Sequence, residues 1–147
     1  MTRKAARERT LELLYEAEAK QVTPADVIAG LPLPPETYTA DVVAGVGQHL
    51  ADLDEVITRY AAPEWPLDRM PVVDRTLLRI GVYELAHRPD IPTAVAISEA
   101  VELAKRFSTE DSGRFVNGVL DRVARELRPA ELGDAPPVEE GRGDVAP

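Results

Sequence analysis

Apolar residues recur along this chain at spacings of three and four, the period that lines one face of an α-helix, and nowhere alternate over a strand's length between turn signals. Ala6, Thr10, Leu13, Leu14 and Ala17 form the stripe of a first helix. A short second one is well punctuated, with Thr23 as N-cap, Pro24 at the first position, Asp26 in the first turn and Gly30 just past the end. Val43, Val46, Leu50, Leu53, Ile57 and Tyr60 predict a third, continuous over about five turns. Pro71 then opens a segment containing Val73, Leu77, Leu78, Ile80, Val82 and Leu85, apolar over most of its circumference as a central helix should be, and Pro89 and Pro92 stop it. Ile97, Val101, Ala104 and Phe107 stripe the next. Ser108 followed by Asp111 reads as the capping box of the last, whose stripe is Val116, Leu120, Val123 and Leu127.

The pattern therefore predicts an all-α protein, a compact bundle of about seven helices. Two prolines in Ala62-Pro63-Glu64-Trp65-Pro66 break the helical pattern and divide it into an N-terminal subdomain, residues 1–62, and a C-terminal one, residues 63–128. Residues 129–147 hold four prolines and three glycines with almost no large apolar side chain, the composition of a disordered tail.

Composition narrows the function classes. A length of 147 residues suits one domain or two subdomains sharing a core, and 44% hydrophobic residues exclude a disordered polyelectrolyte. No apolar run approaches the roughly 20 residues needed to span a bilayer, and the N-terminus opens on charge, so a cytoplasmic protein is expected. The absence of cysteine removes disulfides, thiolate catalysis and zinc-finger ligand sets together. There is no glycine-rich phosphate loop, and His49 and His87 are not at metal-ligand spacing. Neither an enzyme nor a bound cofactor or metal is expected.

A net charge of -9 speaks against a nucleic-acid partner until it is divided along the chain. Residues 1–62 carry -4, residues 63–128 carry -1 and the tail -4, while Arg3, Lys4, Arg7 and Arg9 against Glu8 give the first ten residues +3. On a helix Arg3, Lys4 and Arg7 share one sector, with Leu11 and Tyr15 continuing it. Such a strip can hold phosphates by charge and offer a ring for base stacking; it also fits an ordinary solvated helix start. The segment Glu110-Asp111-Ser112-Gly113-Arg114-Phe115-Val116-Asn117-Gly118 is unusual in placing two glycines inside a helix. Close approach of a helix or ligand would explain Gly118. The first turn exposes N–H groups that suit an anion, with Arg114 and Phe115 beside them, although Phe115 equally fits a core position.

Taken in order, Arg3-Lys4-Ala5-Ala6-Arg7 leading to Leu14-Tyr15, Asp74-Arg75-Thr76-Leu77-Leu78-Arg79-Ile80 with Tyr83-Glu84-Leu85, Ala96-Ile97-Ser98-Glu99-Ala100, and Phe115-Val116-Asn117-Gly118-Val119-Leu120-Asp121 resemble the bacterial NusB family of transcription antitermination factors over residues 3–128. The resemblance implies two three-helix subdomains and no catalysis. It implies pairing with the ribosomal protein NusE, binding of the boxA element of single-stranded nascent RNA, and action on the RNA polymerase elongation complex, notably in ribosomal RNA operons. Carried over by position, Arg3, Lys4, Arg7, Tyr15, Tyr60, Asp111, Arg114 and Phe115 would contact RNA, and Asp74 and Glu84 would face NusE. Some relatives self-associate, so a homodimer or a protein-interaction module without direct RNA binding is the alternative.

Overall fold

The computed structural model describes residues 1–129; the acidic segment 130–147 lies outside the described residues, and with it all but the first residue of the expected tail. Seven α-helices and one short 3-10 turn make up the described chain, with no strand among them.

Most helices start at a capping side chain that accepts a first-turn N–H, or directly after a proline. Thr2 accepts from the Ala5 N–H to begin α1 (Arg3–Lys20), which ends at Gln21 in the left-handed region with φ 57°. Thr23 and Asp26 cap each other's backbone to begin α2 (Pro24–Ala29), as the sequence predicts. Glu36 caps α3 (Thr37–Gln48). The long third helix of the sequence pattern is in fact bent into α3 and α4 (Leu50–Tyr60) at His49, whose φ of -108° departs from helical values.

That bend costs few hydrogen bonds: His49 still donates to the Gly45 carbonyl and Leu53 to the His49 carbonyl, both at 2.9 Å. Its cause is in the preceding turn. A Cβ on Gly45 would lie 2.2 Å from the Tyr83 ring and one on Gly47 would lie 3.2 Å from Pro24, so the glycines let two other helices press in where the chain turns. Periodicity does not see this, because the apolar stripe continues through the bend.

A 3-10 turn at Leu67–Arg69 leads into α5 (Val72–His87), followed by α6 (Thr93–Phe107) and α7 (Glu110–Leu127). The cap of α7 corrects the sequence reading by one residue: Thr109, not Ser108, accepts from the Ser112 N–H at 2.9 Å, and Ser108 instead shares a hydrogen bond with the Ser112 hydroxyl.

α5 is the shared element. It packs against α6 and α7 on one side and against α1, α3 and α4 on the other, and one continuous apolar core runs through all of them. Gly81 allows α7 a close approach, since a Cβ there would stand 2.6 Å from Leu120. Ion pairs tie the N-terminal helices to α5: Arg79 grips Asp54 at 2.8 and 2.9 Å, and Arg75 pairs with Glu18 while donating to the Leu67 and Met70 carbonyls. Arg128 donates to the carbonyls of Glu84, Leu85 and Arg88, closing the C-terminal end of α5. No helix among the described residues is long and apolar enough to cross a membrane.

Candidate nucleic-acid interface

The start of α1 does not present an unbroken basic strip. Arg7 is only 4% exposed. Its guanidinium turns inward and donates through Nε and Nη2 to the two Glu84 carboxylate oxygens, at 3.0 and 3.1 Å. Glu84 is 1% exposed, and the Tyr38 hydroxyl donates to the same carboxylate. These contacts bear on what was expected of both residues: Arg7, which also lines the cleft beside Arg3 and Lys4, has its guanidinium committed to Glu84, and Glu84 is sealed from the surface, each answering the other's hydrogen-bonding groups inside the core. Leu11, expected in the same surface sector, is buried as well. A 100° helical wheel places Arg7 between Arg3 and Lys4, inside the strip; Tyr38 of α3 and Glu84 of α5 nevertheless close over it.

Arg3 and Lys4 remain at the surface, beside Asp90, Ile91, Pro92, Val95 and Glu99, in an open cleft of about 300 Å³. Lys4 donates to Glu99 at 3.2 Å and Glu102 at 2.7 Å, and these bonds, led by Glu102, raise its pKa above the usual lysine value. Arg9 pairs with Glu12 at 3.2 Å, and Arg106 of α6 pairs with Glu8 at 2.7 Å. Arg3 differs. Among the described residues it makes no hydrogen bond or ion pair, and its guanidinium carbon lies 4.6 Å from the centre of the Tyr38 ring. Tyr15 is exposed further along α1.

A second cleft, of about 340 Å³, opens at the start of α7 between Trp65, Pro71, Asp74, Ser108, Asp111, Ser112 and Phe115. Trp65 is 53% exposed, and its ring centre stands 6.2 Å from that of the half-buried Phe115, at 45°. The structure thus settles Phe115 between core and surface, with one side on the apolar cluster and one on the cleft. Arg114 pairs with Asp111, both fully at the surface. Asp74 lies deeper: one carboxylate oxygen accepts from Ser112 Oγ at 2.8 Å, while Oδ1 is buried with no hydrogen-bond partner among the described residues. A buried carboxylate oxygen left unpaired is costly.

Between the two clefts runs the outer face of α6. Glu99 and Glu102 meet Lys4, Arg106 meets Glu8, and the Lys105 side chain lies along Gly113 of α7, where a Cβ would come 2.7 Å from its Cγ. Gly113 is therefore the glycine that close approach explains. Gly118 is not: a Cβ there would meet nothing nearer than Arg122 at 3.6 Å. Tyr60 stands apart from both clefts on the α4–α7 seam, its hydroxyl bonded to Glu126 and its carbonyl to Arg122.

Sequence reasoning missed Tyr38, Trp65, Lys105 and Arg106. Trp65 sat in a proline-rich break that reads only as a linker, and the Lys105-Arg106 pair reads as an ordinary favourable charge at a helix C-terminus. Tyr38 carried no signal, since its role depends on three arginines brought together only by the fold.

The pattern of the NusB family matches residues 4–125. The chain is 50% identical over 129 residues to a transcription antitermination protein NusB of Salinispora arenicola, an alignment covering 83% of this chain and 94% of that one. It is 48% identical over 126 residues to the protein of that name from Kineococcus radiotolerans, covering 83% and 92%. In structure it resembles T. maritima NusB with a TM-score of 0.79, at 34% identity over 90% of this chain and 98% of that one. It also resembles a NusB chain crystallised with NusE and dsRNA, with a TM-score of 0.72 at 26% identity over 84% and 96%. With this agreement across the full helical body, the chain belongs to the NusB family.

Proposed function

We propose that this chain is a transcription antitermination factor that joins NusE to bind the boxA element of single-stranded nascent RNA, and so helps the RNA polymerase elongation complex resist termination, notably in ribosomal RNA operons. The observation that carries the reading is the α7 cleft, where an aromatic pair, the exposed Trp65 and the half-buried Phe115, borders an unpaired buried acceptor, Asp74 Oδ1. Exposed rings stack splayed-out bases of single strands, and an acceptor held in a cleft suits a donor from a protein side chain. RNA is assigned to Phe115, Arg114 and Trp65 on this side and to Arg3, Lys4 and Tyr15 on the other, with Lys105 and Arg106 between them. NusE is assigned to Asp74. The family resemblance is the support for Arg3, Lys4, Tyr15, Arg114, Phe115 and Asp74, while the related NusB chain crystallised with NusE and dsRNA supports the two partners and not the individual residues.

Fluorescence anisotropy with a labelled boxA RNA, a scrambled strand and a boxA duplex, each with and without NusE, tests the reading. Selective binding of the boxA strand that tightens with NusE is expected. Equal affinity for the scrambled strand in the presence of NusE overturns it, and a stable homodimer by sedimentation that never binds RNA would replace it with a scaffold role.

A further inference from the structure

The first arginine of α1 is held in a way its neighbours are not. Lys4, Arg9 and Lys20 each meet a surface carboxylate, and Arg7 is consumed by Glu84, whereas Arg3 lies with its guanidinium on the Tyr38 ring and its N–H groups unused among the described residues. Tyr38 itself is 2% exposed, so the ring is a fixed surface and not a mobile one. Three contacts fix it. Its hydroxyl donates to Glu84, the carboxylate is gripped by Arg7 in a two-pronged bond, and the Arg7 and Arg88 guanidinium carbons lie 5.4 and 5.5 Å from the ring centre.

We infer that Tyr38 is a positioning residue for RNA: its ring, locked by Glu84 and Arg7, orients Arg3 so that the N–H groups of that guanidinium face a phosphate. The inference rests on the RNA-binding reading above and assigns Arg7 a different part in it, as the clamp of the platform in place of a phosphate contact. The chemistry favours arginine over lysine here. A planar guanidinium stacks on a ring while its edge donors stay available, and an ammonium does not combine the two. A side chain held in its binding geometry also loses less rotamer freedom when the ligand arrives.

The test uses the full chain with NusE and labelled boxA RNA. Arg3→Ala should lower affinity and reduce the slope of log affinity against log salt by about 0.7, the loss of one phosphate contact from a single strand. Arg3→Lys, which keeps the charge and gives up the stack, should weaken binding about fivefold, in line with one cation–π contact. Tyr38→Leu should weaken it by a similar factor, Tyr38→Phe, which keeps the ring but loses the hydroxyl bond to Glu84, should restore part of what leucine loses, and adding Arg3→Lys to Tyr38→Leu should cost nothing more. Circular dichroism establishes whether Tyr38→Leu folds. If it does not, the Arg3→Lys and Arg3→Ala comparison decides alone, and wild-type affinity for Arg3→Lys overturns the platform. Additive losses in the double variant overturn it as well. Failure of wild type to select boxA, or an Arg3→Ala variant with unchanged affinity and salt slope, sinks the underlying RNA assignment instead, so the two failures are distinct.

Discussion

Glu84 is held in the centre of the molecule by Arg7 and Tyr38, which supply every side-chain donor it meets among the described residues. Burying such a pair is close to neutral, but removing one member leaves the other charge without compensation. Arg7→Ala should therefore cost about 3–5 kcal/mol in a denaturant titration, and RNA assays on that variant would report lost fold and not a lost contact. A loss below about 1 kcal/mol would show that the pair is open to water. Tyr38 adds an alkaline dependence. Burial first, and the Glu84 charge second, push its phenol well above the ordinary tyrosine value of 10. A group whose pKa is raised in the fold stabilises it fully below the unfolded value, so this contribution is lost as pH climbs past about 10, at about 1.4 kcal/mol per unit for one phenol. Tyr60 and Tyr83 shift in the same direction, through the Glu126 hydrogen bond and burial respectively. Urea melts at pH 9 and 11 should show a smaller drop for Tyr38→Phe than for wild type, and equal drops would remove Tyr38 from the alkaline arm.

At the scale of the element, α7 separates two glycines that look alike in sequence. Gly113 is pressed by Lys105 and Gly118 faces open space. Glycine inside a helix costs about 1 kcal/mol relative to alanine, so Gly118→Ala should raise stability by about 0.5–1 kcal/mol in urea. If RNA affinity falls while stability rises, the space over Gly118 belongs to the ligand. Helices α1, α2, α5, α6 and α7 were legible because a cap, a proline or a 3.6-residue stripe marks each of them, the α7 cap being off by one residue. The bend at His49 was not, since what makes it is Tyr83 and Pro24 meeting Gly45 and Gly47 from distant parts of the chain. The candidate site divides the same way. Composition marks Arg3, Lys4 and Phe115, but only tertiary packing tells that Arg7 points inward and Trp65 outward.

Across the whole molecule the acidic balance has a specific address. Three of the cations nearest the proposed RNA path are already answered: Glu99 and Glu102 hold Lys4, Glu8 holds Arg106, and Asp111 holds Arg114. RNA arriving there must displace carboxylates as well as counterions, and each phosphate contact then yields less than a free cation would. Weak binding by the chain alone, with a shallow salt dependence, follows from this arrangement. Relieving it should strengthen binding. Replacing Glu99 and Glu102 together by glutamine leaves two polar side chains on α6 and frees Lys4, whose hydrogen bonds hold the Glu102 carboxyl below the usual glutamate range. The double variant should bind boxA RNA up to about fivefold more tightly, the scale of an exposed ion pair released. Its salt slope should steepen by about 0.7 if Lys4 then meets one phosphate. Tighter binding with an unchanged slope would mean that the glutamates repel RNA at a distance and Lys4 never touches it, moving the phosphate path off α1 toward Lys105 and Arg106.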